Sequence, residues 1–492
     1  MDRRQFLRGV AGAGAAGVVS GGWRWPARAA AGKTYGNSVL DAPASACPID
    51  TVVILMMENR SFDHYFGWLA GDDAYLDAGR SRYGGDFRVD GRTRLSYSDP
   101  KTGKAVSTYH LPARRTEDNP YRGCGHPDPG HGPVQGRAQR DHGFLARNSG
   151  NDDFALGYYL GDDLPLYGPL ARNFTIFDRY HCSLLSSTYP NRIYLQAAQT
   201  NGDMDPPLPI EELGFHYPCI WDGLRAAGVT CANYATDLPS SLFFGPRSLP
   251  IIRPIADFFT DAALGTLPNV VLVDPSYMSG FRMDDHPLGD VRVAQRFASN
   301  IVRALRSSPQ WHRAALFITY DEWGGFFDHV RPPLLPDSRA SRVDLKNFAQ
   351  AGFRVPTMMV SPYARPGFVD HRVYDHTSIL RFLEWRFLGA PPEGPNGRGW
   401  WLTTRDRRAH NIGGSLQRAP QTDVVLSALP DVPLQSTPCQ GFWFQDVPVV
   451  DQYDRDGALK PLGLSWEGAD EWLARVGYKP AAGMDFDELV NH

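Results

Sequence analysis

The sequence predicts an α/β fold: a largely parallel central sheet flanked by helices, with long loop insertions. Three observations predict it. Apolar runs rich in β-branched residues recur along the chain and alternate with segments of helical periodicity, the pattern of strands buried on both faces of a parallel sheet. Several of these runs stop abruptly at acids or amides, and sheets of this kind bind ligands beyond the carboxyl ends of their strands. Finally, 49 glycines, 40 prolines and 12% aromatic residues call for long ordered loops over the regular core.

The first strand is Thr51 to Met57, closed by Glu58-Asn59, and "RSFDHYFGWL" then begins a helix on which His64 packs among aromatics. Residues 70–150 are polar, Gly/Pro-rich and weakly periodic, as expected of an elaborate loop region. A strand at Phe174 to Tyr180 leads through a turn into a helix from about Asn191. "NVVLVDP" (269–275) is a buried strand ending near Asp274, and residues 290–308 form an amphipathic helix. "RAALFITYDE" is the next strand, stopping at Asp321-Glu322, and residues 354–364 hold another. Residues 45–420 thus read as one catalytic domain. The alternation lapses over 421–492, which reads as a tail packed on that domain.

The formal charge of −4 and the absence of a Lys/Arg run exclude an electrostatic case for nucleic acid. With 42% hydrophobic and 21% charged residues the chain has the composition of a folded protein. Residues 1–29 read as an address: Arg3-Arg4 before Phe6-Leu7, an Ala/Gly-rich stretch, and small residues at Ala27 and Ala29 suited to cleavage. Twin arginines in this setting match a Tat signal, which makes the Tat export machinery a partner and the periplasm or exterior the destination. Tat substrates fold before export, so a metal can be loaded in the cytoplasm. Six cysteines (Cys47, Cys124, Cys182, Cys219, Cys231, Cys439) permit disulfides or buried thiols equally, and none forms a C-x-x-C zinc motif.

The strand-end acids carry the chemistry. Burying adjacent carboxylates costs several kcal/mol unless cations or donors compensate. Glu58-Asn59 and Asp321-Glu322, each closing an apolar strand, are what a hard-metal site with oxygen ligands needs. In "SSTYPNRIY", Pro190 marks a helix N-terminus and places the Thr188 hydroxyl at its positive end, where a nucleophile could meet a phosphate; Ser187 competes for the role. Thr-x-Pro-x-Arg parallels the sulfatase signature, but threonine cannot supply formylglycine, which disfavours sulfate esters. Histidines complete the set: His131 in "PDPGH", Asp285-His286 in "MDDHP", His329 in "FFDHV" and His376 in "YDHTS", with adjacent carboxylates suited to orienting imidazoles.

Together, "MMENRSFDHYFG", "STYPNR", "DDHP", "YDEWGGFFDHV" and "YDHTSILRFLEWRF" resemble the ordered motifs of the bacterial phosphoesterase family, which includes phospholipases C and an acid phosphatase. The resemblance implies an alkaline-phosphatase-like fold and one catalytic divalent or trivalent metal, with Ca, Mg, Mn, Fe and Zn all open. It implies metal contacts from Glu58, Asn59, Thr188, Asp321 and Glu322, with Thr188 as nucleophile. His131, Asp285 and His286 would be catalytic around the phosphoryl group, and Asn59, His131, His286, His329 and His376 would bind substrate. Trp323 follows the acid pair where the phospholipases usually have Asn, a departure expected to reshape the pocket rim. The substrate expected is a phosphatidylcholine-type lipid, met through transient contact with a membrane surface. A broad acid phosphatase acting on small phosphoesters is the alternative, and an inactive exported metal-containing binding protein is a more distant one.

Overall fold

The longest apolar runs become the centre of an eight-stranded sheet. In chain order its strands are β1 (Thr51–Met57), β2 (Thr175–Phe177), β3 (Cys231–Ala235), β4 (Ile252–Pro254), β5 (Val270–Asp274), β6 (Ala314–Tyr320), β7 (Met358–Val360) and β8 (Phe368–Asp370). They lie in the order β8-β2-β7-β6-β1-β5-β3-β4. All neighbouring pairs are parallel except those of β7, which runs antiparallel to both β6 and β2. Every residue of β1, β5 and β6 is buried, as continuous apolar runs require when helices cover both faces. This computed structural model describes residues 36–114, 119–209, 213–277, 282–287, 289–394, 396, 399–421 and 432. The expected signal, 1–29, and nearly all of the expected tail, 421–492, lie outside the described residues.

Five helices matter for the site: α1 (Phe62–Phe66), α2 (Pro133–His142), α3 (Thr188–Ala197), α4 (Val291–Ser307) and α5 (His376–Phe387). The start of α3 is earlier than the sequence indicates. Pro190 is its third residue, where a missing N–H costs nothing, and Ser187 is its N-cap. Among the described residues no helix is long and apolar enough to cross a membrane. Cys124 is disulfide-bonded, whereas Cys47, Cys182, Cys219 and Cys231 are free thiols. Cys439 lies outside the described residues.

Register delivers the acids to one place. Met57 on β1 pairs with Tyr320 on β6, and Leu55 pairs with Val273 on β5. Glu58, Asp321 and Asp274 therefore emerge together at the carboxyl ends of three adjacent parallel strands, although they are far apart in sequence.

Candidate active site

Past β1 the chain turns sharply at Asn59, whose φ of 57° is the left-handed conformation that asparagine tolerates. Past β6 it turns at Gly324, with φ of 62°. The two turns touch backbone to backbone: a Cβ on Gly324 would lie 2.1 Å from the Asn59 carbonyl oxygen. A Cβ on the next residue, Gly325, would lie 2.7 Å from the Gly130 carbonyl oxygen. The glycine pair of "DEWGGFF" therefore lets the two strand ends and the "PDPGH" loop close on one another.

Asp321 Oδ1 accepts hydrogen bonds from the backbone N–H of Asn59 (3.1 Å) and of Glu322 (2.7 Å). Glu322 Oε2 accepts from the Gly324 N–H at 2.7 Å, while its Oε1 is buried with no protein partner. Glu58 is 6% exposed; Asp321 and Glu322 are wholly enclosed. Burial pushes all three carboxyls up from the ordinary range, and the Asp321 charge adds to the effect on Glu58 and Glu322.

Arg192 is the compensation that the sequence reading missed. One turn along α3 from Thr188, it is 2% exposed and reaches three strand ends at once. Nε donates to Asp321 Oδ2 (3.1 Å), Nη1 to Asp274 Oδ1 (3.4 Å), and Nη2 to the Met56 and Met57 carbonyls, 3.3 Å from Glu58 Oε1. Its planar fork also lies over the Tyr277 ring at 4.8 Å. The Thr-x-Pro-x-Arg spacing was the available signal: it places the arginine on the same face as the threonine.

Even so, positive charge falls short. Arg192 and Arg282 pair with Glu58, Asp274, Asp284 and Asp321, and Glu322 adds a fifth carboxyl; Arg282 Nη2 lies 2.7 Å from Asp284 and 3.7 Å from Glu58. Buried charge left uncompensated costs several kcal/mol per ion. An oxygen-rich, acid-excess set with an orphaned Glu322 oxygen fits a hard cation, which Glu58, Asn59, Asp321, Glu322 and Thr188 would hold.

Thr188 opens α3 beside this set, its Oγ1 3.5 Å from Asn59 Oδ1. Asn191 fastens the turn before it, donating to the carbonyls of Ser186 (2.8 Å) and Ser187 (3.0 Å) and accepting from the Leu184 N–H (2.9 Å). The Ser187 hydroxyl instead donates to Asp205. Of the two candidate hydroxyls, Thr188 is the one that faces the strand ends. The Asn59 Nδ2 is buried without a partner, a donor available to a bound oxyanion.

His131 and His286 join Asp128, a residue that the sequence reading passed over although it sits in "PDPGH". The two rings are 5.9 Å apart, and His286 Nε2 is 3.8 Å from Asp128 Oδ2. His286 Nδ1 donates to the Pro287 carbonyl and His131 Nδ1 to the Pro129 carbonyl, so each ring turns its Nε2 elsewhere. Burial, with Arg282 and His131 nearby, holds His286 well below the usual histidine range and hence neutral. The charges of His131 and Asp128 act on Asp321 and Glu322 respectively, which ties this cluster to the acid set.

Three expected contact residues are placed otherwise. Asp285, with φ of 76°, turns its carboxylate to the hydroxyls of Tyr65 (3.0 Å) and Tyr320, and burial raises it to about 7. It braces the "DDHP" turn, with both carboxylate oxygens engaged by tyrosine hydroxyls. His376 opens α5 and donates from Nε2 to the Asp321 carbonyl at 2.7 Å while Nδ1 accepts from the Tyr180 hydroxyl. Burial lowers it to about 4, so it is a neutral prop behind Asp321 rather than a substrate ligand. His64 is a packed residue as expected, stacked 3.9 Å from Phe326, donating to the Gly157 carbonyl and accepting from Arg60.

His329 is the third. Its Nδ1 donates to Asp63 (2.6 Å) and its Nε2 to Asp90 (3.1 Å), in a network where Arg354 also holds Asp63 and Asp328. Both nitrogens are committed, leaving none for substrate. Burial alone would lower this histidine, but the two carboxylates outweigh it and raise it to about 9. A histidine raised from about 6.5 contributes stability that is fully present below pH 6.5 and is lost as pH climbs through about 9. His329→Gln should therefore destabilise the protein at pH 6 and differ little from wild type above pH 9, as measured by urea denaturation at several pH values. An equal penalty at both extremes would refute the assignment. Trp323 is fully buried, its Nε1 donating to Gln139 on α2 at 2.7 Å, so any effect on the pocket passes through the packing of that helix.

Comparison with known proteins places most of the chain in a known family. Residues 49–388 match the Phosphoesterase family. Non-specific phospholipase C5 of Arabidopsis thaliana is 32% identical over 68% of this chain and 69% of its own. Phospholipase C A of Mycobacterium tuberculosis (strain ATCC 25618 / H37Rv) is 30% identical over 88% of this chain and 94% of its own. A protein in the alkaline phosphatase superfamily from Vibrio parahaemolyticus aligns structurally over 45% of this chain and 59% of its own, at 12% identity and a TM-score of 0.29. The strand-end motifs that build the centre all fall inside the matched span. The chain belongs to the phosphoesterase family and is a hydrolase acting on phosphoric ester bonds.

Proposed function

We propose that this protein is an exported, metal-dependent phospholipase C that cleaves phosphatidylcholine-type phosphodiesters through Thr188. One observation carries the reading. A threonine hydroxyl at a helix N-terminus lies 3.5 Å from an amide that is fixed to a buried, acid-excess set of strand-end carboxylates. Support for the lipid comes from relatives, which are named phospholipases C. Export through the Tat pathway rests on the twin arginines, Arg3-Arg4, and cell fractionation checks it.

A cation bound by Glu58, Asn59, Asp321, Glu322 and Thr188 would supply Lewis-acid charge to the phosphoryl group. The chain supplies the rest. Thr188 gives up its hydroxyl proton to solvent and its Oγ1 attacks phosphorus in line: a P–O bond forms to the threonine, the bond to the diacylglycerol oxygen breaks, and a phosphothreonine results, whose hydrolysis returns a proton to Thr188. The α3 N-terminus and Asn59 Nδ2 present donors to the equatorial oxygens. His131, with Nδ1 anchored on Pro129, turns its other nitrogen to the leaving oxygen as the acid. His286, held neutral, accepts a proton from the water that releases phosphocholine.

The test compares turnover of p-nitrophenylphosphorylcholine and p-nitrophenyl phosphate by the purified full chain, with elemental analysis of the same sample. The diester should be preferred, with metal near stoichiometric. Glu322→Gln should lose most of the metal and activity together. Preference for the monoester would replace the phospholipase reading with a phosphatase one, and a metal-free active enzyme would remove the cation from it.

A further inference from the structure

Exposed large apolar side chains among the described residues gather on one face more than elsewhere. Of the seven among the described residues (Val134, Leu160, Leu213, Leu264, Leu334, Val343 and Leu345), four can be traced to one face. Val134 is the second residue of α2 and is 51% exposed. One turn along, Arg137 Nη2 donates to the Asp344 carbonyl at 2.7 Å, which puts Val343 and Leu345 (59% and 47% exposed) next to that helix. A turn further, Arg140 Nη1 donates to Gln350, whose backbone bridges to Leu334. Single exposed apolar residues are ordinary, but a contiguous group marks an interaction surface.

This face adjoins the catalytic centre. Helix α2 begins two residues after His131, and its Gly136 packs so closely that a Cβ there would lie 2.7 Å from the Trp323 ring and 2.9 Å from Leu185. Arg137 Nη1 donates to the Leu185 carbonyl, three residues before Thr188. The loop Arg342-Val343-Asp344-Leu345-Lys346 is exposed throughout, with two apolar tips between two cations. Its single acid is already paired, Asp344 lying 2.6 Å from Arg140 and 3.4 Å from Arg137. Residues 331–346 and α2 together carry six arginines and lysines against three aspartates, in a chain whose net charge is −4. Apolar tips flanked by the exposed cations Arg342 and Lys346 complement the interface of a phospholipid bilayer, where acyl chains lie beneath phosphate groups.

We infer that this face, centred on Val343 and Leu345, docks the enzyme on the phospholipid bilayer that carries its substrate. The inference rests on the phospholipase reading for the substrate, and its test separates the two. Vesicles of phosphatidylcholine and phosphatidylglycerol are sedimented with the full chain carrying Thr188→Ala, so that lipid is not consumed. In parallel, the Thr188 enzyme is assayed on vesicle lipid and on soluble p-nitrophenylphosphorylcholine. Adding Val343→Glu with Leu345→Glu should lower vesicle partition at least about tenfold and vesicle turnover in proportion, with turnover of the soluble ester unchanged. Arg342→Gln with Lys346→Gln should weaken partition to vesicles containing phosphatidylglycerol, and less at high salt.

Equal partition of the Glu variant and its parent overturns the inference, and so does an equal loss on soluble and vesicle substrates. A wild-type chain that turns over the soluble ester yet never pellets with vesicles overturns the docking alone. One that pellets in a Val343- and Leu345-dependent way but turns over neither substrate supports the docking and overturns the function proposed above.

Discussion

Thr188→Ala should lower turnover of a phosphocholine ester by about 10⁴-fold or more and leave the fold intact. Covalent catalysis through a hydroxyl splits hydrolysis into two displacements, and alanine removes the first of them altogether. The side chain contributes little to packing: it is half-buried and makes one long hydrogen bond, at 3.5 Å to Asn59. The N-cap, Ser187, stays in place, so α3 keeps its start. Two controls bear on the interpretation. Ser187→Ala should retain near-normal turnover, because that hydroxyl is engaged with Asp205. Thr188→Ser should retain a substantial fraction, because it keeps the attacking oxygen. Rapid-quench detection of a phosphorylated enzyme in the wild type, absent from Thr188→Ala, makes the test direct. Near-wild-type rates in the alanine variant would end the assignment.

Much of this centre can be read along the chain. The strands announce themselves through β-branched apolar runs, and an acid pair that ends such a run must lie where a parallel sheet binds ligands. Glu58, Asn59, Thr188, Asp321 and Glu322 are local signals of that kind, and the structure gathers them. Arg192 and Asp128 were harder, because each looks ordinary in its own segment. Their meaning comes from partners 80 to 200 residues away, which periodicity does not encode. The Asp-His dipeptides misled for the opposite reason. An adjacent acid says that an imidazole is oriented, but not toward what: His329 turns to Asp63 and Asp90, and His376 to a backbone carbonyl. The antiparallel direction of β7 was also hidden, since a three-residue buried strand reads the same either way.

The second large effect should come from Arg192→Met, which keeps the length of the stem and removes the charged fork. Among the described residues Arg192 is the one guanidinium that reaches Asp321, Asp274 and Glu58 together. Breaking a buried ion pair by deleting one partner leaves the other as uncompensated charge, at a cost of about 3–5 kcal/mol. Three carboxylates lose a partner here, so the upper end of that range is expected, read as a lowered urea midpoint with an unchanged slope. The pH dependence carries the physical signature. Without Arg192 the Glu58 and Asp321 carboxyls, already raised by burial, would rise further, and a group raised above its unfolded value destabilises the fold at higher pH and is relieved as protons bind. The deficit of Arg192→Met against wild type should therefore shrink from pH 8 toward pH 5, the reverse of what a lost carboxylate would give. Millimolar Mn or Ca should offset part of it at neutral pH, since a cation in the acid set replaces some of the missing charge. Arg192→Lys should fall between the two, because one ammonium cannot bridge three strand ends. A methionine variant within about 1 kcal/mol of wild type at pH 8 would mean that Arg192 is dispensable and that the acid set is compensated from elsewhere.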